Sequence, residues 1–533
     1  MLKNKLVLII VVGLVSVLPG FSQFSVQSLK FGEVFDKISR FYVDTINEDK
    51  FLEEVIVQTL HDLDPHSSYL SQEDVQAMQE PLDGNFEGIG VSFNILKDTI
   101  FIINPIPGGP SEKLGIRPGD RIIKIDGDTV AGVGITNNDV MKKLKGKKGT
   151  KVTVSIKRRG SKELIDFIIT RSEIPMYSID ASYMIDNKTG YIKLSRFSLT
   201  STAEFTEALK KLGKEGMENL ILDLSLNGGG YLKIAVELAD HFIAGRKMIV
   251  YTEGVQNPKR NYYSSEAGDF QGGKLVVMID EGSASASEIV AGAVQDWDRG
   301  VIVGRKSFGK GLVQQPFPLS DGSMIRLTVA KYYTPTGRLI QKPYSEGFDA
   351  YTKDLRKRLD GGEMSNSDSI TFPDTLKFKT LALNRIVYGG GGIMPDYFVP
   401  IDTSSYTNYY RDVISKGIFN QFILNYEDRN RSVISSKYPD FMKFNTHFEV
   451  TNDILQQLIK YAEKEGVKFV KDDFETSREM FNVLIKSYIA RDLWSTSEFY
   501  RVFNQKDPIY LKAVEVMTKP GLYSQKLQAF HGE

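Results

Sequence analysis

Between about residues 174 and 403, short apolar runs alternate with helical patterns, and three of those runs end in loops of glycine and small residues. Nothing else in the sequence limits the fold so strongly. Tyr191–Leu194, Asn219–Leu224, Lys274–Ile279, Val301–Gly304 and Ile325–Tyr333 read as strands, with helical patterns at 203–213, 231–243 and 285–296 between them. Such runs bury their apolar residues by forming a sheet covered with helices, so an α/β core is expected.

The rest of the chain changes character on either side. Residues 1–22 carry Lys3 and Lys5, then the apolar run Leu6–Leu18, then Pro19-Gly20-Phe21-Ser22. This is the pattern of a signal peptide, an uncleaved anchor being the alternative, and it predicts export to the periplasm or cell envelope. Residues 23–84 repeat apolar positions at helical spacing (Phe31, Val34, Phe35, Ile38) and end in Asp64-Pro65-His66-Ser67-Ser68-Tyr69, which reads as a turn with capping side chains. Residues 85–173 are β-rich with one helical run, Asn137–Leu144, and form a small domain of their own. Within the core, 341–372 is polar and reads as an exposed insertion, and from 404 to 533 helical patterns return as an accessory domain. A mixed multi-domain α/β protein is therefore expected.

Composition removes several functions. The 533 residues hold 67 basic and 67 acidic side chains, so a non-specific nucleic-acid binder, which needs excess cations, is not expected. There is no cysteine, which excludes disulfides, thiolate metal sites and a cysteine nucleophile. The five histidines include no His-Glu-x-x-His array.

Three loops carry candidate chemistry. Asp280–Ser287 joins a strand to a helix, where a nucleophilic serine and an oxyanion-binding helix N-terminus are commonly found. Ser285-x-x-Glu288 also fits a plain capping box. Lys306–Gln314 holds Lys310 between glycines, which fits a base, a phosphate ligand or a surface turn, although a Walker loop would need Ser or Thr where Gly311 stands. Asn227-Gly228-Gly229-Gly230 allows close backbone approach or merely a flexible turn. If the three preceding strands are neighbours in one sheet, their ends bring these loops together.

In combination, Gly282–Ile289, Phe308-Gly-Lys310-Gly-x-Val-Gln314 and Asn227–Gly230 resemble the tail-specific, or carboxyl-terminal processing, serine proteases. So do Asp64–Tyr69, Tyr333–Arg338 and Gly392–Asp396, in the same order, so the resemblance covers about residues 30 to 400. It implies a core of the ClpP/crotonase-like type, with Ser285 as nucleophile, Lys310 as base and Gln314 orienting the lysine. It further implies an oxyanion hole from the Ala286 amide and Gly230, with Gly229 the neighbour, and a supporting Asp296. Asp223-Leu224-Ser225 departs from the family's Asp-Leu-Arg, so a changed support for the glycine loop is expected. A serine–lysine pair suits a chain poor in histidine, provided burial lowers the lysine from its ordinary value near 10.4.

Phe86-Glu-Gly88-Ile89-Gly90-Val91 resembles the carboxylate-binding loop of PDZ domains, and Gly115–Ile122 their next turn and strand. A PDZ groove takes a peptide as an added strand and holds its terminal carboxylate on loop amides. The run Lys142, Lys143, Lys145, Lys147 and Lys148 reads as a solvated face. The expected protein is an exported endopeptidase with no metal or organic cofactor. Its substrates carry free, apolar C-termini; an adaptor protein and a homo-oligomer stay open. A catalytically silent PDZ adaptor is the rival reading.

Overall fold

The structure, a computed structural model, describes residues 25–528, so the expected signal peptide at 1–22 lies outside the described residues. Residues up to Leu63 form one unit, with helices α1 (Val26–Phe41) and α2 (Glu48–Leu63). The Ser25 hydroxyl caps α1 by accepting from Ser28 N–H at 3.1 Å, and Phe35 meets Phe51 across the pair.

The second unit begins at Asp64 with β1 (Ser68–Leu70) and α3 (Gln72–Asp83). A neck follows: β2 (Asn85–Gly88) pairs antiparallel with β8 (Ser172–Pro175), so chain entry and exit of the small domain are bonded to each other. Between them β3 (Val91–Ile95), β4 (Ile100–Pro105), β5 (Arg121–Ile125), β6 (Lys151–Lys157) and β7 (Ile165–Thr170) form an antiparallel sheet in that order. Helix α4 (Asn137–Leu144) contributes Val140 and Leu144 to the core of Ile89, Ile100, Ile122, Val154 and Ile169.

The α/β core has a six-stranded sheet. Its members are β9 (Ile179–Met184), β10 (Thr189–Leu194), β11 (Asn219–Asp223), β14 (Leu275–Ile279), β15 (Val301–Gly304) and β18 (Tyr397–Phe398), in that spatial order. From β10 onward neighbouring strands run parallel. Helices α5 (Ser201–Lys214), α6 (Leu232–Asp240) and α7 (Ala286–Asp296) cover one face, burying Leu220, Leu222, Val277 and Ile279. The alternating positions Ile221, Val276 and Met278 point to the other face, as strand geometry requires. A second sheet of β1, β12 (Met248–Glu253), β13 (Arg260–Tyr263), β16 (Leu312–Pro318) and β17 (Met324–Tyr333) stands beside the first. Residues 325–333 are thus a strand, but of this second sheet.

Residues 341–372 are largely exposed, as expected, but a few of their side chains are anchored. They hold helices α8 (Phe348–Thr352) and α9 (Asp354–Asp360) and bury Tyr351, Arg358 and Met364. Arg358 donates to the Lys306 and Ser307 carbonyls at 2.7 and 3.2 Å, and Lys342 lies 4.1 Å from the ring centroids of both Phe308 and Tyr351. The polar side chains are spent on bracing the lysine-bearing loop, which composition does not reveal.

The helical C-terminal region also corrects its expectation. Helices α10 (Asn408–Ser415), α11 (Ile418–Lys437), α12 (Phe441–His447), α13 (Asn452–Lys464) and α14 (Lys471–Leu493) bury an aromatic-rich core around Phe419, Phe444, Phe474 and Phe481, with Val502 of α15 (Thr496–Phe503) added. Helix α16 (Pro508–Thr518), however, covers the second face of the core sheet: Ile509, Tyr510, Ala513, Val516 and Met517 pack on Tyr191, Ile221, Val276 and Val303. The last helices are therefore the third layer of the α/β core and not part of a separable accessory domain. Among the described residues, no helix is long and apolar enough to cross a membrane.

Candidate active site

Strands β11, β14 and β15 are adjacent and parallel, so the three candidate loops leave the same edge of the sheet. They meet at a cavity of about 450 Å³ lined by Gly228–Gly230, Ser285, Ile289, Lys310, Gln314 and Arg326. Met78 and Leu82 of α3 form another wall.

Ser285 sits at the N-cap of α7 with φ 55° and ψ −111°, a conformation costly for a residue with a side chain. Its neighbours are committed elsewhere. The fully buried Ser283 hydroxyl donates to the Leu224 carbonyl at 2.8 Å, and Ser287 donates to the Asn227 carbonyl at 2.8 Å. Both tie the glycine loop to the serine loop, leaving Ser285 as the serine of this run that faces the cavity.

The glycine loop needs its glycines. A Cβ on Gly229 would stand 2.9 Å from Ser285 Cβ, and one on Gly230 would stand 2.1 Å from the Phe197 carbonyl oxygen. The Gly229 N–H donates to Asn227 Oδ1 at 2.9 Å. Among the described residues no acceptor stands opposite the N–H of Gly230 or of Ala286. Beneath the loop, Asp223 accepts from Tyr191 at 2.7 Å and from Lys193 at 3.0 Å, and Lys193 also donates to the Ser225 carbonyl at 3.1 Å. The cation that Ser225 cannot supply thus comes from Lys193 on β10, one strand away.

Lys310 is lowered from 10.5 to about 8, chiefly by burial and then by the Arg326 guanidinium, against the pull of Glu288 and Asp64. Gln314 Nε2 donates to Thr328 Oγ1 at 3.2 Å, and Thr328 Oγ1 donates to Asp64 Oδ1 at 3.0 Å. Gln314 therefore lines the cavity beside the lysine but is held by Thr328. Asp64 also accepts from His66 N–H, Ser67 N–H and the Ser67 hydroxyl, so the turn at 64–67 is pinned against β17. His66 is half-buried with its Nε2 2.8 Å from Tyr351 Oη; burial, with Lys310 next in weight, lowers it from 6.5 to about 3, so it stays neutral. Asp296 lies at the far end of α7, bonded to Thr336 and Arg338; it braces the 334–338 turn and does not reach the cavity.

Gly88, Ile89, Gly90 and Val91 lie apart from the cavity, in the loop that feeds β3, the edge strand of the small domain's sheet. Ile89 is buried in that domain's core and its carbonyl is taken by Ser111, while Gly90 has φ 70°. The lysine run is largely solvated, as expected, with Lys142 pairing with the exposed Glu73 at 3.2 Å; Lys145 is the exception, pairing with the shielded Glu80, and both glutamates are on α3. The other side of the domain rests on α11, where Leu424 meets Leu96 and Phe101, and Arg121 pairs with Asp428 at 2.8 Å. Sequence reasoning missed α3, Arg326 and α11 because their roles depend on segments far apart in the chain.

Fold and site are those of an α/β peptidase core with an inserted PDZ domain. The sequence pattern of Peptidase family S41 matches residues 188–348, that of the PDZ domain matches 88–169, and a family of unknown function, DUF8443, matches 409–495. Carboxy-terminal processing protease CtpB of Bacillus subtilis is 37% identical over 316 residues, 59% of this chain and 65% of that protein, so the chain spans just under two thirds of that relative. The carboxy-terminal-processing protease of Bartonella bacilliformis is 34% identical over 364 residues, 64% of this chain and 83% of the relative. Among solved structures, a photosystem II D1 C-terminal processing protease aligns with 60% of this chain and 91% of its own, at 29% identity and a TM-score of 0.34. The chain belongs to the carboxy-terminal processing proteases of peptidase family S41.

Proposed function

We propose that the protein is an exported serine endopeptidase of the periplasm or cell envelope that captures substrates by their C-terminal tails and cleaves them with a Ser285–Lys310 dyad. The observation that carries this reading is the shared cavity: a serine held at a strained helix start and a partly buried lysine lowered to about 8 open onto one space. Neutral Lys310 takes the proton from Ser285 Oγ as the oxygen attacks the scissile carbonyl carbon. The Gly230 and Ala286 N–H groups, which meet no acceptor among the described residues, stabilise the oxyanion. The C–N bond breaks as the Lys310 ammonium returns the proton to the leaving amine. A water deprotonated by Lys310 then hydrolyses the acyl ester and restores Ser285. The edge strand β3 and the loop 88–91 receive the substrate tail as an added strand.

The test is labelling with a fluorophosphonate, followed by digestion and mass mapping. The expected adduct is on Ser285, absent in Ser285→Ala and in Lys310→Ala, and unaffected by chelators. An adduct on Ser283 or Ser287, or equal labelling of Lys310→Arg, would sink the reading, because arginine does not give up its proton at these pH values.

A further inference from the structure

Ser285 and Lys310 sit on different loops, each following its strand from the register pair Ile279–Gly304. A register pair fixes strands, not the loop residues beyond them. Two buried side chains close that gap. Glu288 Oε2 accepts from the backbone N–H of Ser285 at 2.8 Å and from that of Lys310 at 2.9 Å. Its Oε1 accepts from Gly309 N–H at 2.7 Å and from the Ser307 hydroxyl at 2.5 Å, so the carboxylate is fully satisfied without solvent. From the opposite side the Tyr332 hydroxyl reaches the Ser285 carbonyl at 3.1 Å and the Lys310 carbonyl as well. Each of the two residues is thus held at its N–H by Glu288, and their two carbonyls share the one Tyr332 hydroxyl proton.

We infer that Glu288 and Tyr332 are positioning residues that set the spacing of Ser285 and Lys310 through their backbones, and that Glu288 is also an anion acting on the lysine. This goes beyond a helix-capping role for Glu288, since a cap needs neither Lys310 nor Gly309. It rests on the dyad reading above. Charge has a direction here. Around Lys310 stand Arg326 from β17, His66 and Asp64 from the turn before β1, and Tyr332; Glu288 and Asp64 favour its ammonium, while Arg326 opposes it. Around Glu288 stand Lys310, Lys342, Tyr332 and Tyr351. Burial raises Glu288 to about 7, so it is ionised where Lys310 begins to act as a base.

The experiment compares wild type, Ser285→Ala, Glu288→Gln and Tyr332→Phe for cleavage of fluorescein-labelled β-casein across pH 6–10, with thermal unfolding and fluorophosphonate labelling rates. Glu288→Gln is expected to lower kcat about 10- to 100-fold with KM within about twofold, because misplacement acts on the reaction more than on binding. Its acid limb should move to lower pH by about half a unit or more, since the anion favouring the ammonium is gone. Tyr332→Phe should lower kcat about tenfold and leave that limb in place, having removed a hydrogen bond and no charge. Labelling rates should fall in parallel. If Glu288→Gln loses only thermal stability, with wild-type kcat and limb, it is merely a cap and the inference falls. If Glu288→Gln does not fold, Tyr332→Phe decides: wild-type kcat and labelling would overturn the clamp. Wild type no more active or labelled than Ser285→Ala would instead overturn the dyad reading itself.

Discussion

At the scale of single residues, the site stores cost in two places. Burial and Arg326 bring Lys310 from 10.5 to about 8, which suits the base role proposed for it. Below pH 8 the unfolded chain and the folded chain both bind its proton, and the folded state suffers the whole penalty, up to about 3 kcal/mol. Between pH 8 and 10.5 the unfolded chain binds the proton more often than the folded one, so this penalty fades as pH rises. Lys310→Met should therefore raise stability in denaturant melts at pH 7 by about 2–3 kcal/mol, with the gain shrinking toward pH 10. Ser285 carries the second cost in its positive φ. Ser285→Gly should abolish turnover yet stabilise by about 1 kcal/mol. Ser283→Ala and Ser287→Ala each remove one of two donors on a carbonyl that keeps its backbone N–H partner, so each should lose about 1 kcal/mol of stability and keep measurable turnover.

At the scale of elements, the contacts between the PDZ domain and the peptidase core are where the proposed tail capture would be coupled to cleavage. Helix α3 contributes Met78 and Leu82 to the cavity, Glu73 to Lys142 of the PDZ helix α4 and Glu80 to Lys145 at that helix's C-cap. The Lys145–Glu80 pair is mostly shielded, at 23% and 14% side-chain exposure, so it counts for more than a surface pair. Glu80→Lys should weaken casein cleavage and loosen the domain to limited proteolysis, and the exchange Glu80→Lys with Lys145→Glu should recover much of both. A double-mutant coupling of about 1 kcal/mol is expected; additive losses would mean the pair does not link the domains. The bonded neck of β2 and β8, the pairs to α3 and the rest on α11 give the domain three attachments.

For the whole molecule, the decisive fact is that the chain's last helices close the core. Ala513 of α16 is fully buried against the sheet. Ala513→Asp should cost more than about 3 kcal/mol, read as a drop in melting temperature with loss of labelling at Ser285, because an unpaired carboxylate enters an apolar layer. A truncation near residue 404, which sequence alone presents as harmless to catalysis, should give insoluble protein, since it uncovers Ile221, Val276, Met278 and Val303 together. A soluble, labelled truncation would contradict this layer assignment.

Strands β10, β11, β14 and β15, the helices between them, and the loops holding Ser285 and Lys310 were legible in sequence because they depend on neighbours within a few residues, whereas β9, β12, β13, β16 and β18 were not. Apolar runs make strands, small residues make the turns after them, and a serine or lysine placed in such a turn stands at a strand end wherever the sheet forms. Glu288 was legible only as half of a capping box, for the same reason: its Ser285 contact is local and its Lys310 contact is not. Lys193 beneath the glycine loop, Asp64 behind Thr328, and α16 under the sheet were decided by tertiary structure. Each fills a demand created only after the sheet assembles: a buried carboxylate needing a cation, a buried hydroxyl needing an acceptor, an apolar face needing cover. Such demands fix the chemistry of the partner but not its place in the chain, so the folded arrangement had to supply it.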